Sequence, residues 1–91
     1  MLNRDMGKQE ISWKLRLEDG TKREVLARRF GREWRFMERG RRYDPWRDIA
    51  DPSREDWETL LDALRRRYPR KGFTEEDIRA VERCIAARFP T

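Results

Sequence analysis

Apolar and polar residues alternate one for one where regular structure first becomes legible. Ile11, Trp13, Leu15 and Leu17 are separated by Ser12, Lys14, Arg16 and Glu18, the period-two pattern of a strand with one buried face. It stops at Asp19-Gly20, a dipeptide that suits a tight hairpin turn because glycine accepts positive φ. Residues 1–9 carry no periodicity and read as a frayed arm ahead of a single domain over residues 10–91.

The return segment, Thr21 to Phe30, fits two patterns. As a strand it sets Val25 and Ala27 on one face, with Leu26 and Phe30 on the other. As a helix it would open with a Thr21/Glu24 capping box and group Val25, Leu26, Arg29 and Phe30 on one side. The strand is favoured, because a first strand with an apolar face needs a partner and Asp-Gly supplies the turn. Gly31-Arg32 makes a second turn, and Glu33 to Arg39 alternates again with Trp34 and Phe36 inward. These segments predict a three-stranded antiparallel meander.

Residues 40–52 read as a connection, because Gly40, Pro45 and Pro52 interrupt regular structure. Tyr43, Trp46 and Ile49 are expected to pin it to the core. Ser53 then caps a helix carrying Trp57, Leu60, Leu61, Leu64 and Tyr68 at helical spacing, with Glu55 and Asp56 in its first turn. Pro69 and Gly72 stop it. A second helix begins at Thr74, with Phe73 and Ile78 in the positions of a hydrophobic staple and a stripe of Ile78, Val81, Ile85 and Phe89. The predicted fold class is α+β, ordered β-β-β-α-α, with the helical hairpin packed on one face of the sheet.

Composition narrows the function classes. The 91 residues are 36% hydrophobic and 45% charged, with a mean hydropathy of −1.17. So polar a chain approaches disorder, but 11% aromatic content and the periodic placement of apolar residues argue for a folded chain with a thin core. There is no histidine and one cysteine, Cys84. Ser-His, Cys-His and His-metal chemistries are therefore excluded, as is an internal disulfide. Cys84 sits beside Ile85 and reads as an inert thiol. No long apolar run spans a membrane and the N-terminus lacks the apolar core of a signal peptide. The expected setting is a reduced cytoplasm.

Charge is unevenly spread. Residues 1–50 hold 14 Lys+Arg against 9 Asp+Glu, while residues 51–91 hold 9 of each. The whole net charge of +5 thus falls on the strand region and its following loop. Guanidinium groups near aromatic rings on a sheet suit phosphate contacts and base stacking. Arg28, Arg35, Arg39, Arg41 and Arg42 are the candidate nucleic-acid contacts, with loss of binding expected when Arg28, Arg35 and Arg42 are neutralised together. A solvated face explains the same charge: arginine predominates over lysine as a GC-rich genome would produce, and Glu24, Glu33, Glu38 and Asp44 interrupt the run. No RNP signature, zinc finger or helix-turn-helix accompanies it.

The other candidate contacts are Tyr43, Trp46 and Arg47, because a loop tryptophan beside arginine is the pairing that interface hot spots favour. In the alternative reading, Leu26, Phe30, Met37 and Trp46 form an exposed apolar surface for another protein or a second copy. The carboxylate pairs Asp48/Asp51 and Glu75/Glu76 are explained by capping and loop solvation. The expectation is a non-enzymatic binding protein without cofactor or metal.

Overall fold

A computed structural model describes residues 10–31, 33–41, 43–68 and 73–90. The proposed N-terminal arm, Arg32, Arg42, and Pro69 and Gly72, expected to stop the first helix, lie outside them. The described residues form two compact units that divide between Ala50 and Asp51.

The first unit is an antiparallel sheet of β1 (Glu10–Arg16), β2 (Lys22–Phe30), β3 (Glu33–Arg39) and β4 (Arg47–Ile49), hydrogen-bonded in that order. Thr21 to Phe30 is thus strand where it pairs, not helix. The meander has one short strand more than expected: within the connection, Arg47, Asp48 and Ile49 pair with Glu38, Met37 and Phe36. Pro45 ends two residues before this pairing begins and therefore does not block it. Ile49 is half-buried opposite Phe36, as a pinning residue should be, whereas Tyr43 is 90% exposed and lies outside the core.

Register follows from the first turn. The N–H of Gly20 donates to the carbonyl of Leu17 at 2.9 Å, and Leu17 N–H donates to Thr21 at 2.8 Å. Gly20 has φ +91°, so it closes a four-residue turn as a left-handed bulge rather than half of a two-residue turn. Leu17 belongs to this turn and is exposed, which corrects its place in the strand alternation. Asp19 braces the turn by accepting from the Thr21 backbone N–H at 3.0 Å and its hydroxyl at 2.7 Å. These bonds hold its carboxyl below the ordinary value near 3.8.

The resulting register sets Ile11 against Ala27, Trp13 against Val25, and Ala27 against Phe36. Ile11, Val25, Ala27 and Phe36 are all buried, and Trp13 meets Phe36 edge to face at 6.3 Å. Such side chains contribute about 1.5–3 kcal/mol each when fully withdrawn from water. The opposite face carries charged residues in rows, with one exception. Leu26, expected to be exposed, is only 8% accessible. Its row (Ser12, Leu26, Met37) lies between two rows clasped by ion pairs, Glu10–Arg28 and Glu24–Arg39. Long charged side chains can cover apolar surface with their aliphatic stems, which suits a leucine between two such rows.

The second unit is a helical pair, α1 (Arg54–Arg67) and α2 (Glu75–Arg88). Ser53 caps α1 by accepting from Asp56 N–H at 3.1 Å. Thr74 and Asp77 form a reciprocal capping box on α2. Trp57, Leu60, Leu61, Ala63, Leu64, Phe73 and Val81 make the buried set, while Tyr68 is largely exposed. Arg65 reaches Glu82 at 2.7 Å to join the helices, and Arg88 lies over the Trp57 ring at 5.1 Å. The acidic side chains earlier singled out as a pair are absorbed here, Glu75 by Arg79 and Glu76 by Arg83.

Candidate functional site

The strand register sorts the charges of the polar sheet face into rows. Nearest the β1–β2 turn stand Arg16 and Lys22. The next row is Lys14, Glu24 and Arg39; two rows further on come Glu10, Arg28 and Arg35. Six residues separate Lys22 from Arg28, about 20 Å along an extended strand. Arg28 is neutralised by Glu10, and Arg35 stacks over the Phe30 ring at 5.0 Å. The turn end is different. Lys14, Arg16 and Lys22 have no ion-pair partner among the described residues, and the row pair holds four cations against Glu24.

That end opens into a depression of about 650 Å³ lined by Lys14, Lys22, Arg23, Glu24, Arg39, Gly40 and Arg41. Two of its cations are held internally, Arg23 by Glu38 at 2.6 Å and Arg39 by Glu24 at 2.8 Å. Lys14, Lys22 and Arg41 are exposed and have no carboxylate partner among the described residues. The ion pairs fix the walls; the three remaining cations are exposed and make no ion pair among the described residues. In a concave setting, like charges focus field and raise the local concentration of anions.

The loop after β3 shapes the rim. Asp44 accepts from Arg41 N–H through its carboxylate at 3.1 Å and returns its own N–H to the Arg41 carbonyl at 3.0 Å. This closed turn presents Tyr43 outward. Beside it, a smaller depression of about 310 Å³ is lined by Arg39, Gly40, Asp44, Pro45 and Arg47. Arg39 is shared by both, and its guanidinium lies 4.2 Å from the centre of the Trp46 ring. Trp46 is therefore a half-buried support for Arg39, not an isolated loop aromatic.

Of the residues singled out in the sequence, Arg39, Arg41, Tyr43, Trp46 and Arg47 come together at one end of the sheet. Arg28 and Arg35 stand at the other, and Arg42 lies outside the described residues. The apolar set proposed for a protein contact does not form one exposed surface: Leu26 is buried, Met37 and Trp46 are half-buried, and Phe30 is exposed at the far end of β2. Lys14 was not singled out, and nothing short of the register could have found it.

Cys84 is half-buried. Among the described residues, no group of three or more His, Cys, Asp or Glu side chains is placed to hold a metal ion. No helix is long and apolar enough to cross a membrane. No protein-family model, curated protein or solved structure matches this chain.

Proposed function

We propose that this chain is a small non-enzymatic binding protein that engages single-stranded nucleic acid at the turn end of its sheet. The observation that carries the reading is the concave site in which Lys14, Lys22 and Arg41 stand without carboxylate partners among the described residues. Phosphates are the anions whose repeat along a strand would occupy several such cations at once. Tyr43, outward on the adjoining turn, supplies an aromatic face on which a base stacks, and stacking is indifferent to sequence. The expected partner is therefore a single strand with little sequence preference, met in the cytoplasm.

The test is a titration of mixed-sequence oligonucleotides, single- and double-stranded, followed by intrinsic tryptophan fluorescence. The proposal expects saturable binding with preference for the single strand, and loss of that preference in Tyr43→Ala. Absence of binding at low salt would defeat it.

A further inference from the structure

Strand β1 ends the sheet: β2 pairs with one of its sides, and no described strand pairs with the other. The N–H of Leu17 points to Thr21 across the hairpin. By the alternation of an antiparallel ladder, Ile11, Trp13 and Leu15 also turn their backbone groups toward β2. Glu10, Ser12, Lys14 and Arg16 then turn theirs outward, leaving a row of donors and acceptors along the outer edge. Such an edge is a template for another strand.

We infer that the edge is filled by β1 of a second copy, running antiparallel about a two-fold axis at Trp13, so that two sheets join into one. In this register Glu10 faces Arg16 of the second copy, and Arg16 faces Glu10. Ile11 meets Leu15, Ser12 meets Lys14, and Trp13 meets its own counterpart. Every residue of the seven-residue strand finds a partner. The pairing is isologous, as closed two-fold association demands.

Charge and ladder length favour this register over its neighbours. A shift of two residues one way sets Lys14 against Lys14. The same shift the other way sets Glu10 against Lys14 but leaves Leu15 and Arg16 facing no residue of the described strand. Arg16 has no ion-pair partner within its own chain among the described residues, and in this register it faces Glu10 of the second copy, a carboxylate that also holds Arg28 of its own chain. Leu15, 37% exposed within the chain, lies opposite Ile11, a residue already buried within its own chain. Trp13 pairs at a position where the backbones approach most closely, the geometry in which aromatic cross-strand pairs interact best.

The test is the molar mass in solution from micromolar to millimolar concentration, by light scattering and analytical ultracentrifugation on the full chain. Two variants accompany the wild type. Ser12→Pro removes one outward N–H and no bond to β2, a substitution that edge strands tolerate. Arg16→Glu opposes like charges at both ends of the ladder. The inference expects a wild-type dimer and monomeric variants, with far-UV circular dichroism and melting temperature of Arg16→Glu at low concentration unchanged. If Ser12→Pro fails to fold, Arg16→Glu decides alone. A wild type monomeric at every concentration overturns the inference, as does a dimer that Arg16→Glu leaves intact. Lys14 belongs both to this seam and to the oligonucleotide site; the two variants leave it in place, so the molar mass reads the strand pairing whether or not an oligonucleotide binds.

Discussion

Neutralising Lys14, Lys22 and Arg41 together, as Lys14→Gln, Lys22→Gln and Arg41→Gln, separates a working site from a solvated surface. The three side chains are exposed and make no ion pair among the described residues, so their loss should alter folding stability by no more than about 0.5 kcal/mol each. Binding should change far more. Three phosphate contacts to a single strand correspond to a slope of log K against log salt of about −2, taking roughly −0.7 per contact. Raising salt from about 50 to about 200 mM would then weaken wild-type binding by roughly 20-fold. In the triple variant the slope should flatten toward zero, and affinity at low salt should fall to the background set by Arg23 and Arg39, which Glu38 and Glu24 already hold. Fluorescence anisotropy of a labelled oligonucleotide at four salt concentrations measures both quantities. A triple variant that keeps the wild-type slope would refute the assignment of these cations to phosphate.

Three further outcomes follow from the same structure. Replacing Arg28 and Arg35 by Gln should leave the salt slope within about 0.3 of wild type, because these residues stand about 13–20 Å along the strands from the site; a loss as large as the triple variant's in the same anisotropy assay would place the interface at the other end of the sheet. Phe36→Ala empties a position only 2% exposed and should cost about 3–5 kcal/mol in urea unfolding, a large share of the roughly 5–15 kcal/mol available to a small domain; a change below about 1 kcal/mol would mean the sheet core is not packed as described. Asp19 accepts two bonds from Thr21 that favour its charged form, so its folded pKa lies below its unfolded one. Its contribution to stability is present above the ordinary value near 3.8 and lost as pH falls through the lowered folded value. Asp19→Asn should therefore flatten the acid limb of the stability profile, and an unchanged limb would contradict the turn geometry.

What could be read from the residues depended on whether local chemistry or register decided the outcome. The helices were legible because caps are local: Ser53 and Thr74 bond backbone N–H groups three residues on, and the apolar spacing between them is unambiguous. The strand assignment of residues 21–30 also followed from the need of β1 for a partner. The charged rows were not legible. A two-residue turn at Asp19-Gly20 would set Trp13 opposite Leu26, whereas the bulged turn sets it opposite Val25, and one residue of slip moves every side chain to the other face. Arg28 and Arg35 therefore looked like the centre of a basic surface, when the pairing gives Arg28 to Glu10 and leaves the unpaired cations at the opposite end. β4 escaped notice because three residues between prolines carry no periodicity of their own; their pairing with Glu38, Met37 and Phe36 is a long-range fact.

The most direct test of where the site lies is a residue-resolved titration, following backbone amide NMR shifts as a short single-stranded oligonucleotide is added. The account predicts that Lys14, Lys22, Gly40, Arg41 and Tyr43 shift together and saturably, while Glu10, Arg28 and Arg35 stay in place. Shifts centred on Arg28 and Arg35, or none at any oligonucleotide concentration in low salt, would contradict it.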